Sequence, residues 1–255
     1  MRIARVTHAG SFSYARLDDG GTAHLYDTAP WGGGRETGAT AREYGVDVPV
    51  EPSKIVCVGR NYAAHARELG HDLPELPLLF LKPPSALMAH EGVIEHPPES
   101  QRVDFEGEIA VVIGSRGRHV GAAEAHRHIF GITCANDVTA RDLQMADVQF
   151  TRGKGFDTFC PCGPWIETDF GDLNALTVRT RVDGSERQLG RADRMLWGIP
   201  ALLEYISGIM TLEPGDLILT GTPEGVGPLT ANEVVEVEVG TVGVLRSTMG
   251  GSSGP

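Results

Sequence analysis

The sequence predicts an α+β protein that is mostly β. It contains 33 glycines and 16 prolines among 255 residues, a composition that favours many turns and short strands over a helical bundle. Apolar residues alternate with acidic ones in VVEVEV at 234–239, which is the period of a strand. Helical patterns are few, and the longest covers residues 195–209. The expected fold is therefore a set of short strands with a few helices between them.

The first 52 residues are predicted to form a small β-domain. Residues 2–6, 12–17 and 22–26 have strand-like composition, and the sequence DDGG at 18–21 is typical of a turn. A stretch of mixed signals follows and ends in Pro49 and Pro52, a pattern that indicates a domain boundary. We therefore expect an N-terminal domain at 1–52, a larger domain at 53–248 and a flexible tail at 249–255.

Net charge and cysteine usage exclude several classes of function. The chain has 22 basic and 34 acidic residues, a formal net charge of −12, which argues against nucleic acid or an anionic membrane as the main partner. An anionic small substrate stays compatible, because a bound divalent ion inverts the local field. No signal-peptide pattern or membrane-length apolar run is found. The cysteines, at 57, 134, 160 and 162, match no zinc or redox motif, so a reduced cytoplasmic protein is expected.

Residues 103–114, VDFEGEIAVVIG, are the most informative segment. Asp104, Glu106 and Glu108 alternate with other residues, so one strand would carry all three carboxylates on one face. The apolar residues that follow indicate a strand entering the core. Buried acids need a counter-charge, which Mg²⁺ or Mn²⁺ would supply. An exposed strand with an acidic outer face is the alternative interpretation.

A short helix is predicted just after residue 62, where AAHAREL precedes a glycine. His65 and Glu68 lie three residues apart and would share one face of it. A carboxylate beside an imidazole orients the ring and raises its basicity, as general-base catalysis requires. The alternative is an ordinary solvated pair of side chains.

A second acidic position follows a predicted strand at 129–135. Asp137 precedes a predicted helix at 138–150, in which Thr139 and Asp142 fit a capping box. The spacing of Asp137, Arg141 and Gln144 would place all three on one side. One anionic ligand with two hydrogen-bond donors suits a metal-bound anion. The alternative is a helix-start acid beside an exposed arginine.

Three further segments give local predictions. Lys154 lies between two glycines and can approach a ligand, although the spacing is not that of a phosphate-binding loop. Lys82 precedes two prolines and could approach a site, although a solvated strand end is the expected interpretation. The Asp183–Gly184 pair between two strand-like runs predicts a hairpin.

Five motifs in order resemble those of the fumarylacetoacetate hydrolase family. They cover most of the chain and are VGRNY at 58–62 with His65 and Glu68, DFEGE at 104–108, NDVTARDLQ at 136–144, KGFDTFCP at 154–161 and TGTPEGVG at 220–227. Each motif alone is weak, but their order is specific. The resemblance implies a mixed β-sandwich or roll with few helices, usually assembled as a homodimer.

The resemblance also assigns roles to individual residues. It implies Mg²⁺ or Mn²⁺ held by Glu106, Glu108 and Asp137, and it leaves Asp104 outside the ligand set.

Catalytic roles follow from the same resemblance. His65 and Glu68 would activate water from a short lid, and Lys154 would be an electrostatic partner of the substrate. Arg141, Gln144 and Thr222 would line the substrate pocket.

The implied substrate is a small 2-oxo acid or acylpyruvate that chelates the ion through its carboxylate and keto oxygens. The leading hypothesis is cleavage of a C–C bond through a metal-bound enolate, either by hydrolysis of acylpyruvates or by decarboxylation of 2-oxo dicarboxylates such as oxaloacetate. An isomerase or decarboxylase of the 2-hydroxyhepta-2,4-diene-1,7-dioate type, from aromatic degradation, is the alternative. A non-catalytic 2-oxo acid binding protein is the alternative from another class, although simple capture needs no activated water.

Overall fold

The chain folds as a mostly β protein, as the sequence predicts. The computed structural model describes residues 1–252. The strands are, in chain order, β1 (Arg2–His8), β2 (Ser11–Leu17), β3 (Ala23–Tyr26), β4 (Glu36–Ala41), β5 (Gly45–Asp47), β6 (Ile55–Gly59), β7 (Leu78–Lys82), β8 (Leu87–Met88), β9 (Val93–His96), β10 (Val103–Phe105), β11 (Gly107–Ile113), β12 (Ile129–Asn136), β13 (Thr139–Ala140), β14 (Cys160–Glu167), β15 (Thr177–Val182), β16 (Ser185–Arg191), β17 (Leu217–Leu219), β18 (Gly227–Pro228), β19 (Val234–Val239) and β20 (Gly243–Ser252).

Helices are short and lie between these strands. The α-helices are α1 (Ala63–Glu68), α2 (Arg141–Ala146), α3 (Thr151–Lys154) and α4 (Ile199–Ile209). Turns of 3₁₀-helix occur at Pro30–Gly32, Pro84–Ala86, Ala122–His128, Leu173–Ala175 and Ala192–Arg194. Within residues 1–252, no helix is long and apolar enough to cross a membrane.

The strands form one large sheet and two smaller ones. The main path of the large sheet is β4-β3-β2-β1-β14-β12-β11-β17-β6-β7, with β5 beside β1 and β8 beside β14. A second sheet has the order β16-β15-β19-β20-β9, and a third has the order β13-β10-β18. The N-terminal strands thus extend the large sheet through the β1–β14 pairing. The division into domains at residue 52 stays a prediction.

Strand β11 is buried on both faces, which explains its continuous apolar run. Ile109, Val111 and Ile113 pack into the core shared with the second sheet and α4. Ala110 and Val112 pack on the opposite side. The acidic residues at the start of this strand therefore lie at the margin of the protein interior.

One local prediction is confirmed. The Asp183–Gly184 pair joins β15 to β16, and both residues have positive φ, 47° and 76°, as the tight hairpin turn requires. The helix expected at 195–209 begins only at Ile199, with Pro200 in its first turn, where a missing backbone N–H costs no hydrogen bond.

Other local predictions are wrong. Residues 138–150 are not one helix, because Thr139 lies in β13 and α2 begins only at Arg141. The proposed capping box is therefore absent from this segment: Thr139 Oγ1 donates to Glu106 and to the Asp137 carbonyl, and Asp142 accepts from Ser100.

The acidic segment and the C-terminal segment also differ from expectation. The predicted strand at 103–114 is interrupted at Glu106, between β10 and β11. The expected flexible tail begins inside β20, where Met249 is buried and pairs with Ile94 of β9. The remainder of that tail, 253–255, lies outside the described residues.

Candidate active site

Four adjacent strands bring the predicted site residues to one end of the large sheet. In the order β12-β11-β17-β6, β11 is antiparallel to both of its neighbours, and β17 is parallel to β6. The start of β11 therefore lies beside the ends of β12, β17 and β6. Glu106 and Glu108 come from the start of β11, and Asp137, Thr222 and Arg60 follow the ends of the other three. Sheet topology thus brings together residues distant in sequence.

The three predicted metal ligands form a compact cluster. Carboxylate oxygens of Glu106, Glu108 and Asp137 lie within 4.8 Å of one another, and all three residues are buried. The Asp137 N–H donates to the Glu106 carbonyl at 2.8 Å, which fixes the two ligands relative to each other. Mg²⁺ and Ca²⁺ bind oxygens at about 2.0–2.6 Å, so the ligands of one ion lie up to about 4–5 Å apart. The cluster therefore fits a hard divalent cation.

Glu108 gives the electrostatic argument for such a cation. Its carboxylate accepts a hydrogen bond from the Gly221 N–H at 2.6 Å, and it pairs with no lysine or arginine of residues 1–252. Burial, followed by the charges of Asp137 and Glu106, raises the pKa of Glu108 well above its usual value. A bound divalent ion would relieve this penalty by placing a positive charge beside the ionised carboxylate.

Glu106 is balanced by cationic side chains. Burial acts to raise its pKa, but the charges of Lys154 and Arg141 outweigh burial and hold the pKa well below the usual value. Lys154 Nζ lies 2.9 Å from Glu106 Oε2 and 2.7 Å from Asp137 Oδ2. The predicted substrate partner Lys154 is thus buried and holds two of the proposed ligands in place.

A second buried lysine was missed by the sequence reasoning. Lys82, expected to be a solvated strand end, has a fully buried side chain, and its Nζ donates to Asp137 Oδ1 at 2.6 Å. It also donates to the Val138 carbonyl at 3.0 Å. The pattern around residue 82 gave no sign of this contact, because its partner is 55 residues away.

Asp104 belongs to a neighbouring ion-pair network instead of the acidic cluster. Its carboxylate accepts from Arg102 at 2.8 Å and from Arg141 Nε at 2.9 Å. The guanidinium of Arg141 also donates to Glu106 and to the side-chain oxygen of Gln144. The common face proposed for the three alternating acids is therefore wrong. Arg141 and Gln144 do line the cavity next to the cluster.

The predicted dyad lies on α1 above the same cavity. His65 Nδ1 is 3.5 Å from Glu68 Oε2, and within the described residues that nitrogen has no hydrogen-bond partner. Burial lowers the pKa of His65, and the nearby Glu106 charge opposes this shift only in part. The imidazole is therefore neutral at pH 7 and able to accept a proton.

The glycine-rich loop after β17 contacts the helix that carries the dyad. The Gly225 N–H donates to both carboxylate oxygens of Glu68, at 3.0 and 3.1 Å. Gly225 has φ +96°, and a Cβ there would lie 2.0 Å from the Arg187 carbonyl oxygen. Only glycine fits this position, so the loop can hold Glu68 through a backbone hydrogen bond.

Thr222 is held by a residue that the sequence reasoning did not identify. Its hydroxyl donates to the Gly107 carbonyl at 2.9 Å and accepts from Gln188 Nε2 at 2.8 Å. Gln188 is buried, and its side-chain oxygen accepts from the Gly107 N–H at 3.0 Å. The loop, β11 and β16 are thereby joined beside the acidic cluster. A lone glutamine in a hairpin carries no sequence signal for such a role.

These residues surround a cavity of about 480 Å³, a size typical of small-molecule sites. Its polar lining comprises His65, Glu106, Glu108, Asp137, Arg141, Gln144, Lys154, Thr222, Arg60, His71 and Asp147. Glu68 does not line the cavity, and its Oε2 lies 3.5 Å from Nδ1 of the lining residue His65. The cavity lining thus combines the acidic cluster with basic side chains, an arrangement suited to a metal ion and an anionic ligand.

Sequence comparisons identify family profiles and known proteins that are similar to this chain. A profile described as "Fumarylacetoacetate (FAA) hydrolase C-terminal" matches residues 54–249, and one described as "Rv2993c-like, N-terminal" matches residues 1–44. Oxaloacetate decarboxylase of Dictyostelium discoideum is 46% identical over 72% of this chain and 87% of its own length. Oxaloacetate tautomerase YisK of Bacillus subtilis is 39% identical over 80% of this chain and 71% of its own.

Solved structures share the fold. A 2-hydroxyhepta-2,4-diene-1,7-dioate isomerase from Mycobacterium marinum superposes with a TM-score of 0.90 and 40% identity, over 100% of both chains. Fumarylpyruvate hydrolase from Pseudomonas aeruginosa, in complex with Mn²⁺ and pyruvate, superposes with a TM-score of 0.76 and 33% identity. The match covers 82% of this chain and 92% of that chain. Relatives of this chain thus carry out several reactions on small 2-oxo acids.

Proposed function

This chain belongs to the fumarylacetoacetate hydrolase family, and from that premise we propose that it is a divalent-metal-dependent decarboxylase of a small 2-oxo dicarboxylate such as oxaloacetate. The observation that carries the proposal is the cluster of Glu106, Glu108 and Asp137, whose oxygens lie within 4.8 Å of one another beneath a cavity with basic side chains. The decarboxylase from Dictyostelium discoideum supports this choice of reaction.

The three carboxylates would hold Mg²⁺ or Mn²⁺. When bound, the ion would act as a Lewis acid toward the 2-oxo group and attract the electrons released by bond cleavage. The Mn²⁺ and pyruvate in the Pseudomonas aeruginosa fumarylpyruvate hydrolase are consistent with this assignment.

The chain's own residues would then favour loss of CO₂. When the bond between carbons 3 and 4 of oxaloacetate breaks, its electron pair moves toward the 2-oxo group and CO₂ leaves. Lys154 lies beside the two ligands Glu106 and Asp137, so its ammonium would stabilise the negative charge that develops there. The product becomes pyruvate once carbon 3 takes up a proton.

Keto–enol tautomerisation of the same substrate class is the second candidate. It requires a base that removes a proton from carbon 3 and returns it to oxygen. His65 is buried beside the cavity with a lowered pKa, and it meets that requirement. Decarboxylation makes no such demand, so the two reactions should differ in their dependence on His65.

The decisive experiment compares turnover of oxaloacetate with Mg²⁺, with Mn²⁺ and with EDTA. Decarboxylation, tautomerisation and acylpyruvate hydrolysis are followed separately. Free divalent ions decarboxylate oxaloacetate slowly, so the Glu108→Gln protein at the same metal concentration supplies the blank. Turnover that equals this blank, while oxalate still binds, would identify a binding protein. Faster cleavage of acylpyruvates than of oxaloacetate would identify a hydrolase.

A further inference from the structure

Arg60 differs from the other permanent cations of the cavity in having no ionic partner. Lys154 is paired with Glu106 and Asp137, and Arg141 is paired with Asp104 and Glu106. Among residues 1–252, no carboxylate lies within ion-pair distance of Arg60, and its side chain makes no hydrogen bond. A cation without a protein partner in a cleft is available to an anionic ligand.

The backbone at Arg60 is held in an unusual conformation. Its φ is +55°, a left-handed value that is uncommon for residues other than glycine. Arg60 follows β6 directly and precedes α1, so this conformation turns the chain between the sheet and the helix with His65. Such strain is concentrated at functional sites, where it positions a particular side chain.

Arg60 forms no ion pair with the acidic cluster, and its charge acts on His71, just beyond α1. It is half-buried and lines the cavity with His71 and Leu69, two residues just beyond α1. Burial, and then the charge of Arg60, lower the pKa of His71. Of these two side chains, Arg60 is therefore the one that carries a positive charge at pH 7. An anion held here would be the part of a ligand that does not contact the metal.

We propose that Arg60 binds the second carboxylate of the substrate and thereby selects dicarboxylic over monocarboxylic 2-oxo acids. The inference rests on the proposed function, since the other carboxylate and the 2-oxo oxygen would occupy the metal. A charged hydrogen bond to the guanidinium is made only by a ligand with an anionic far end. Arg141 could do this less well, because two protein carboxylates already neutralise it.

The test uses a matched pair of ligands that differ only at the far end. 2-Oxoglutarate and 2-oxopentanoate have equal chain length, and only the first ends in a carboxylate. Their dissociation constants are measured by calorimetry at saturating Mg²⁺, with oxalate as a probe of the metal end alone. Wild-type protein is expected to bind 2-oxoglutarate roughly 10- to 100-fold more tightly, the usual range for a charge-assisted hydrogen bond.

Two variants and one control isolate the charge of Arg60. Arg60→Asn removes the charge while tolerating positive φ, so it should abolish the preference for 2-oxoglutarate and leave oxalate binding unchanged. Arg60→Lys should restore part of the preference. Arg67→Gln removes an exposed arginine of α1 that does not line the cavity, and it should behave as wild type.

Three outcomes would overturn the role of Arg60. They are a wild-type protein without the preference, an Arg60→Asn protein that keeps it, and an Arg60→Asn protein that loses affinity for both ligands equally. The readout is binding, so it is separate from the proposed reaction. A protein that shows the preference but does not decarboxylate oxaloacetate would contradict the proposed function and leave the Arg60 assignment standing.

Discussion

Lys82 donates to the carboxylate of Asp137 at 2.6 Å, with side-chain exposures of 0% and 1%. The same carboxylate accepts from Lys154 through its other oxygen. Asp137 is thus balanced by two ammonium groups, whereas Glu108 has none among the described residues. This asymmetry makes the stability of the chain depend on both lysines and on any ion that the cluster holds.

Lys82→Met should destabilise the metal-free protein by about 3–5 kcal/mol, because it leaves a buried carboxylate short of one partner. Saturating Mg²⁺ should recover more stability in this variant than in wild type, since the ion replaces the lost positive charge. Thermal unfolding with Mg²⁺ and with EDTA measures both effects.

Lys54→Met is the matched control for this prediction. Lys54 pairs with the buried Asp216, which lies outside the acidic cluster. The control should lose stability without any added response to Mg²⁺. An equal response to Mg²⁺ in the two variants would contradict a link between Lys82 and the proposed ion.

Glu108→Gln should remove metal binding while leaving the metal-free fold intact. Burial and the charges of Asp137 and Glu106 raise the pKa of Glu108, so a neutral amide of the same shape relieves repulsion. We expect the melting temperature in EDTA to equal or exceed that of wild type, and the rise on adding Mg²⁺ to disappear. Calorimetric titration should show Mg²⁺ affinity reduced at least 10-fold.

Asp104→Asn provides the comparison, because Asp104 pairs with arginines outside the cluster. It should keep Mg²⁺ affinity near that of wild type. Wild-type affinity in Glu108→Gln would show that the three-carboxylate site is wrong.

His65→Ala should separate reactions that need a base from decarboxylation. Tautomerisation and acylpyruvate hydrolysis should fall roughly 10²–10⁴-fold, the usual contribution of a positioned general base. Oxaloacetate decarboxylation should fall much less, at saturating Mg²⁺. Equal losses in all three assays would indicate that His65 only positions the substrate.

The pH profile gives an independent check on His65. Burial lowers its pKa below the usual 6.5, so the neutral base persists to lower pH than a free imidazole. The kcat/KM for tautomerisation should therefore be level near pH 7 and begin to fall only at a lower pH than an ordinary imidazole would require. The pH profile of decarboxylation should not show the decrease in kcat/KM that comes from protonation of His65.

Gly225→Ala should uncouple the glycine-rich loop from the lid helix. A Cβ at this position would lie 2.0 Å from the Arg187 carbonyl oxygen, so the loop must move and its hydrogen bond to Glu68 is lost. Amide hydrogen exchange in Ala63–Glu68 should become faster, and reactions that depend on His65 should slow.

Gly171→Ala is the control for strain alone. Its φ is +67° with open space around the Cβ, so it should cost about 1–2 kcal/mol and leave exchange in α1 unchanged. Unchanged exchange in the Gly225→Ala protein as well would show that this hydrogen bond does not hold the lid.

The lid segment, residues 60–77, is expected to be mobile in the absence of ligand. The segment after Arg60 is polar and punctuated by glycine and proline, which favours local opening. Oxalate with Mg²⁺ should increase protection of Ala63–Glu68. Full protection in the free protein would contradict this expectation.

The sequence by itself determined those features that depend on neighbours along the chain. The period of two around Glu106 and Glu108 predicted a strand that carries acids, and the Asp183–Gly184 pair predicted a hairpin. Each is set by backbone conformation within a few residues. The order of the motifs indicated the family, and the family resemblance implied the cluster of Glu106, Glu108 and Asp137.

The tertiary structure decided which charges meet. Lys82 pairs with Asp137 across 55 residues, and Gln188 holds Thr222 across 34, distances over which periodicity carries no information. Strand β10 pairs with β13 and β18 in a separate sheet. This pairing explains why the strand is interrupted at Glu106 and why Asp104 contacts arginines instead of the acidic cluster. Buried polar groups take whichever partners the packed sheets bring near, because leaving them unpaired is costly. Among the described residues, the same packing left Arg60 as the permanent cation of the cavity that has no ion-pair partner.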